Sequence, residues 1–383
     1  MAKLLRRRFV DAALEQEYGK DPGEDRVALL PREDLSLDVE GETTNRDTVR
    51  QSLSQRGHVV TNKMTSLTLP LELRGAGTED GELQVPETDA LLKASLMKRE
   101  DGARIPVKNL TGGPFKRGEA VTDEDTGSTV GKVADWDPER KVLYLREVPE
   151  LPEAEEKLTG EESGASGNAK SVGKAYVYRP DSLTPDEQPS VYLRFDLDGL
   201  LHKIPGGRAT FSIDLTRSEI PGISFTVSGL YREPTDGGPI TGTHLDLTPA
   251  PVLGAELLLG DLDMSKVAVQ SVQADIDNTV EARGDIQSAD GYHSHMITGR
   301  EPSGSIDPEV TDLSTFNPYK DWASNKRVAV AAGIGDAAGE RVRVVMPQTQ
   351  YTQLPYSSRN GIATYDLGFR CVGDDDELML IYS

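Results

Sequence analysis

The stretch Val191-Tyr-Leu-Arg-Phe-Asp-Leu-Asp-Gly199 decides the fold class of this chain. From Val191 every second side chain is apolar, polar or larger side chains fill the positions between, and a glycine ends the run. Residues 211–216 and 223–228 repeat this alternation. A period of two is typical of a β-strand with one buried and one solvated face. These three stretches therefore predict adjacent antiparallel strands.

The same alternation predicts further strands along the chain. They are residues 35–39, 67–73, 141–148, 174–178, 266–276, 327–331, 341–346, 364–371 and 378–382. One helix is predicted at residues 86–97, because proline and acidic residues lie at its start and basic residues at its end. Leu92 and Leu96, helped by Leu91, are its inward residues. One helix among so many strands predicts a mainly β chain, an antiparallel β-sandwich or split barrel with one flanking α-helix.

Shifts in composition divide the chain into four parts. In residues 4–18, Leu5, Phe9, Ala12 and Ala13 would share a helical face, but such a helix is too short to be stable alone. Residues 1–26 are therefore predicted to be an N-terminal arm that orders on packing, and the start of the chain does not resemble a signal peptide. The other parts are 27–100 and 190–383, the two halves of one β domain, and 101–189, an inserted acidic β-module.

The predicted module contains an internal repeat. Glu119-Ala-Val-Thr122, followed by Gly127-Ser128, recurs 37 positions later as Glu156-Lys-Leu-Thr159, followed by Gly164-Ala165. Residues 119–162 contain 14 acidic and five basic residues, a net charge of −9. Two units with strand patterns predict a small β-module built from a duplicated unit.

Charge and cysteine content exclude several classes of protein. The 383 residues include 42 Lys and Arg against 64 Asp and Glu, a net charge of −22. Proteins that read nucleic acids normally present a basic patch, and anionic membranes repel acidic chains, so both kinds of partner are disfavoured. The single Cys371 excludes an internal disulfide and a multi-cysteine zinc site, and we expect it to be a buried, inert thiol.

No motif predicts catalysis, a cofactor or a metal. The sequence lacks the phosphate-binding loop, the His-Glu-x-x-His helix and the Gly-x-Ser-x-Gly elbow. Residues 333–339 resemble a dinucleotide loop, but the last spacing is one residue too long, which favours a hairpin turn. His293 and His295 would share a strand face without a third ligand, so they are predicted to be surface or interface residues. The Asp196-Leu-Asp198-Gly199 run is predicted to be a strand ending in a turn.

Several stretches, in order, resemble the major tail tube proteins of siphophages, the phages with long non-contractile tails. In the first half they are Asp38-Val-Glu-Gly-Glu42, Asn45-Arg-Asp47, Leu71-Glu-Leu-Arg-Gly75 and Pro86-Glu-Thr-Asp-Ala-Leu-Leu-Lys-Ala94. In the second half they are Gly206-Gly-Arg-Ala-Thr-Phe211 and Ile220-Pro-Gly-Ile-Ser-Phe-Thr-Val-Ser-Gly-Leu-Tyr231. The resemblance covers about residues 27–97 and 190–308. Residues 101–189 depart from it, and resemble acidic β-repeats of phage structural proteins, either as a decoration outside a tube or as a longer inter-ring loop.

The resemblance implies a structural virion protein rather than an enzyme. Six copies would close into a ring, rings would stack into the tail tube, and the tube would conduct DNA during ejection. The implied partners are further copies of the chain, a tape-measure protein, and tail terminator and distal tail proteins, with no membrane partner. DNA would pass without tight binding. The implied location is the virion tail, with assembly in the host cytoplasm.

The resemblance also suggests two sets of site residues. Six chains of net charge −22 would carry −132 formal charges, and acids lining the lumen would repel DNA phosphates. The candidate lumen-facing acids, which alternate with core residues, are Asp196, Asp198 and Asp214. The candidate inter-ring contacts, in the arm and in the loop after Gly41, are Phe9, Thr43, Thr44 and Asn45.

Other functions remain open from the sequence. A distal tail or baseplate ring protein could share the fold. An extracellular β-sandwich adhesin or carbohydrate-binding module would need clustered aromatic residues, whereas Trp136 and Trp322 lie in unrelated contexts. An acidic glycoside hydrolase would need a specific carboxylate pair, and the many acids single out none.

Overall fold

The computed structural model describes residues 3–23, 26–46, 48, 49, 51, 52, 54 and 56–383. Strand residues make up 51 % of the structure and helical residues 4 %, and the ladders are antiparallel. The predicted mainly β, antiparallel fold is confirmed.

The strands of the first half, in chain order, are β1 (Arg8–Leu14), β2 (Val27–Leu29), β3 (Ser36–Asn45), β4 (His58–Glu72), β5 (Thr78–Glu79), β6 (Glu82–Leu83), β7 (Met97–Thr111), β8 (Ala120–Asp123), β9 (Thr129–Asp137), β10 (Val142–Arg146), β11 (Lys157–Gly160), β12 (Ser166–Ala169), β13 (Gly173–Pro180) and β14 (Val191–Leu197). Those of the second half are β15 (Leu200–Thr216), β16 (Gly222–Leu230), β17 (Thr235–Asp236), β18 (Glu256–Leu259), β19 (Ser271–Asp275), β20 (Asn278–Gly284), β21 (Tyr292–Arg300), β22 (Ser303–Ile306), β23 (Val328–Ile334), β24 (Val342–Gln353), β25 (Tyr356–Arg359), β26 (Ile362–Tyr365), β27 (Leu367–Cys371) and β28 (Met379–Tyr382). The helices are α1 (Asp89–Ala94), α2 (Pro318–Ala323) and a 3-10 turn at Met264–Lys266.

Two sheets enclose the main core. The main sheet has the order β3-β4-β16-β15-β19-β22-β27-β24-β23-β18, and a smaller sheet has the order β2-β1-β14-β15-β17. Strand β15 belongs to both, because it pairs with β14 up to Gly207 and with β16 from Arg208. The change of partner follows Gly206, whose φ of +66° favours glycine. Apolar side chains from both sheets meet in one core.

Short helices accompany this core. Helix α1 buries Leu91 and Leu92 completely, whereas Leu96 lies beyond the helix end, buried and with φ +57°. The structure contains a second helix, α2, whereas the sequence predicted one flanking helix. Asn317 caps it by accepting a hydrogen bond from the Lys320 amide, and proline occupies its first turn.

The N-terminal segment is a strand rather than the helical stretch expected for residues 4–18. Strand β1 pairs with β14 from Arg8 to Leu14 on one edge and with β2 on the other. Val10 and Ala12 are fully buried in the main core. Their alternation places them on one face of a strand, and the ladder with β14 supplies the backbone hydrogen bonds that an isolated helix would have to make alone.

Residues 97–169 contain a closed β-barrel. Its strands pair in the circuit β7-β10-β9-β8-β11-β12 and back to β7. A separate apolar core fills it, with the Phe115 and Trp136 rings 5.4 Å apart. The sequence repeat has a structural counterpart, because Thr122 of β8 lies directly opposite Thr159 of β11, its equivalent 37 positions later. Because the two equivalent strands pair antiparallel, a local pseudo-twofold axis relates the two halves of the barrel.

Candidate assembly interfaces

One surface of the main sheet is lined by small polar side chains. Cross-strand partners in an antiparallel sheet share a face, and the register places these residues together on the side away from the core. We call this set the polar face: Ser66, Thr68, Thr210, Ser212, Asp214, Ser224, Thr226, Ser228, Gln273, Asp275, Ser303 and Ser305. Its members are partly or fully exposed. The side chains between them are apolar and buried in the main core.

The charge of the polar face is negative. The set contains Asp214 and Asp275, and two arginines lie at its borders: Arg370, which is exposed and directly opposite Ser303, and Arg32, which donates to the carbonyls of Ile220 and Pro221. The Asp214 carboxylate accepts hydrogen bonds from Thr216 Oγ1 at 2.6 Å and Gln273 Nε2 at 3.2 Å. The surface is therefore hydroxyl-rich and acidic, with little apolar area.

The three candidate lumen acids do not lie together. Asp214 is exposed on the polar face. Asp196 is only 2 % exposed, because its carboxylate turns inward to accept hydrogen bonds from the Gly199 and Ile240 amides, so it is not available to line a lumen. Asp198 follows β14 with φ +50°, accepts a hydrogen bond from the Leu4 amide and pairs with Arg7. Asp275, which is not among the three sequence candidates, is also exposed on the polar face and alternates with the buried residues of β19.

A long hairpin projects from the main sheet. Strand β4 pairs with β16 only from Met64 to Glu72, so among the described strands its outer residues form a ladder with β3, and Lys63 also donates its N–H to the Asp290 carbonyl. Strand β3 is an edge strand and is exposed on both faces along most of its length. Thr43, Thr44 and Asn45, the candidate inter-ring contacts, lie at its exposed outer end. The strand prediction for residues 35–39 was therefore too short.

Phe9, the other candidate inter-ring contact, is half-buried within its own chain. Its ring lies 5.6 Å from that of His244 and packs against Gly242. The contact joins β1 to the extended segment 237–250, which crosses the smaller sheet.

A cleft of about 1040 Å³ lies beyond the inner end of β4. Its walls come from the end of β1, from β2, from the start of α1, and from residues 76–79, 243–247 and 338–340. At its base Arg74 Nη2 donates to Glu87 Oε1 at 2.6 Å, with both side chains buried. Burial raises the pKa of Glu87, although the nearby Arg74 opposes the shift. Glu87 Oε2 and His244 Nδ1 are buried and have no hydrogen-bond partner among the described residues.

The structure also places the two histidines, the glycine-rich turn and the cysteine that were considered in the sequence. His293 is exposed, but His295 is 2 % exposed and packs beneath β15, so it is not a surface residue. Residues 335–341 form the predicted hairpin turn between β23 and β24. Cys371 is buried as predicted, and burial raises its pKa to about 12. The described ranges contain no cluster of three metal-ligating side chains and no helix long and apolar enough to cross a membrane.

Comparison with protein-family models matches residues 6–371 to a family described as phage tail tube protein. The matched range begins just before β1 and ends with β27, so it includes both sheets and the barrel. No curated protein matches the chain.

Proposed function

Because the chain belongs to the phage tail tube protein family, we propose that it forms hexameric rings that stack into the tube of a long non-contractile tail. The tube holds a tape-measure protein during assembly and conducts DNA during ejection. A tail terminator protein and distal tail proteins close its two ends, and assembly takes place in the host cytoplasm.

The polar face supports the proposal that the tube conducts DNA. A surface along which DNA moves must not bind phosphate, and basic side chains are the groups that do. Asp214 and Asp275 repel phosphate over about 10 Å at ordinary salt concentration, and neutral hydroxyl groups offer only weak, exchangeable hydrogen bonds. In the proposed ring this face lines the lumen. Of the three acids that the sequence predicted to line it, Asp214 is the one on this face.

The open edge of β3 supports assembly. A long, exposed edge strand is an aggregation hazard in a monomer, so natural proteins usually shorten, charge or cover it. A neighbouring copy covers this edge in the proposed ring. Contacts within a ring join different patches and close by rotation, whereas contacts between rings do not close and build a filament. Thr43, Thr44 and Asn45, at the outer end of the hairpin, are the proposed inter-ring contacts.

Negative-stain electron microscopy of the purified full chain at increasing concentration tests this function. We expect hollow tubes with a regular axial repeat. Single rings that never stack would instead indicate a distal tail or baseplate ring protein. A chain that stays monomeric in light scattering at high concentration would contradict both.

A further inference from the structure

The projecting hairpin and the cleft lie at opposite ends of β4. The outer residues of β4 begin at His58, and the cleft lining begins at Ala76, four residues after β4 ends at Glu72. Fifteen strand residues span about 50 Å. A contact between the hairpin of one copy and the cleft of another would therefore run head to tail along the strand direction. Such a contact does not close on itself and can repeat without limit.

The two surfaces have complementary charge. Residues 43–60 contain three Arg and one Asp, although the whole chain is acidic. Arg46 directly follows β3, and Arg56 lies two residues before β4 begins at His58. The cleft has an acidic rim, where Glu79, Asp246 and Glu340 are exposed and, among described residues, form no ion pair. Opposite charges favour this docking and disfavour two hairpins or two clefts meeting.

The two surfaces also match in polarity and size. The outer hairpin half-exposes Val59 (50 %) and Val60 (47 %), which lie opposite Thr44 and Thr43. The cleft offers apolar wall residues, including Val85 and Leu245. Its volume of about 1040 Å³ lies at the top of the range of about 300–1000 Å³ for small-molecule pockets, which suits a peptide segment.

We propose that the outer end of the β3–β4 hairpin of one copy docks in the cleft of a second copy in the next ring. This inference rests on the proposed function and adds the receptor of the inter-ring contact. Arg46 and Arg56 meet the acidic rim, and Val59 and Val60 pack on the apolar walls.

Crosslinking tests the contact directly. Thr44→Cys protein is mixed with Glu79→Cys protein and treated with a short bismaleimide, and only an intermolecular contact can join the two variants. We expect a dimer band at least tenfold stronger than from Ile286→Cys mixed with Glu79→Cys, since Ile286 is fully exposed on another hairpin. Equal bands from both mixtures would overturn the proposal.

A charge exchange separates this proposal from the proposed function. Glu79→Arg with Glu340→Arg should reduce stacked tubes at least tenfold while rings persist, and adding Arg46→Glu with Arg56→Glu should restore them. The matched control, Glu139→Arg with Glu150→Arg on the barrel, should stack normally. Normal stacking of the cleft variant, or failure of the exchange to restore it, would overturn the docking proposal alone. Absence of both rings and tubes from the unmodified chain would overturn the proposed function.

Discussion

Arg343 of β24 donates through Nε to Asp135 Oδ2 of β9 at 2.6 Å, and so joins the main sheet to the barrel. The two side chains are 3 % and 0 % exposed. Arg117 adds a second donor, with its Nε 2.7 Å from Asp135 Oδ1. Burial alone would raise the pKa of Asp135, but the two guanidinium groups outweigh burial and lower it. An apolar junction that includes Tyr144, Val345 and Ile381 surrounds this pair, so the barrel is fixed against the sheet.

Arg343→Met should destabilise the protein by about 3–5 kcal/mol, because it leaves the Asp135 carboxylate buried with too few cations. The measurement is the free energy of unfolding in urea. Arg327→Met is the control, since the exposed Arg327 side chain donates to Gln348 Oε1 at the surface, and should change stability by about 0.5 kcal/mol or less. A loss below about 1 kcal/mol for Arg343→Met would show that the junction does not depend on this pair.

Stability should fall as the pH drops from about 6.5 to 4, because His295 is buried in its neutral form. Burial, helped by the charge of Arg208, lowers its pKa to about 4, and neither ring nitrogen has a partner among the described residues. In this window the unfolded chain binds a proton at His295 that the folded chain does not. The full effect is about 3 kcal/mol.

The pH dependence should be reduced in His295→Leu and unchanged in His293→Leu, whose side chain is exposed in the original chain. Urea denaturation at several pH values measures it. A His295→Leu protein that loses as much stability as the original between pH 6.5 and 4 would assign the effect to other groups.

Gly206→Ala should lower the free energy of unfolding by about 2–5 kcal/mol, because the alanine would have to adopt a left-handed backbone conformation and its Cβ would clash with a neighbouring side chain. A Cβ at Gly206, where φ is +66°, would lie 2.5 Å from the Tyr18 ring, and Tyr18 already donates to the Gly206 carbonyl. Gly237→Ala, with no atom within 4 Å of the new Cβ, is the matched control and should be nearly neutral. Thermal unfolding of both variants measures the difference. Equal melting temperatures would mean that β15 does not need glycine at this position.

Asp214→Lys should slow DNA ejection without preventing tube assembly, because a lysine on the polar face would bind passing phosphates. Glu139→Lys makes the same charge change on the exposed surface of the barrel. Phages carrying each variant are compared by the rate of DNA release and its dependence on salt. Equal rates for the two variants would remove Asp214 from the lumen.

Cys371 should not react with a thiol reagent in the folded protein. Burial holds the pKa of its thiol at about 12, so almost no thiolate is present at neutral pH. Labelling should therefore begin only as urea unfolds the chain. Rapid labelling under native conditions would show that this end of β27 opens, and would require Cys371→Ser in the crosslinking variants.

The sequence predicted strands well where one face is buried and the other is exposed to solvent, as in residues 211–216 and 223–228. It failed in the outer hairpin, because β3 is exposed on both faces and such a strand has no alternation to detect. It also misplaced Asp196, since alternation cannot show that a carboxylate turns back to cap its own turn. Asn317 before Pro318 was a usable signal for the second helix. Barrel closure depends on pairings between distant strands, and local patterns do not contain them.

The pairing of β7 with β13 places the entry and exit of the barrel side by side, with Gly102 opposite Ala175. The chain therefore leaves the body of the protein and returns to it at neighbouring points of one ladder. Another folded unit with closely spaced ends could join the chain at these two points if it also covered Arg343 and the apolar junction. Each copy in a tube thus offers a fixed, repeated attachment point at which such a unit can be gained, lost or engineered for display.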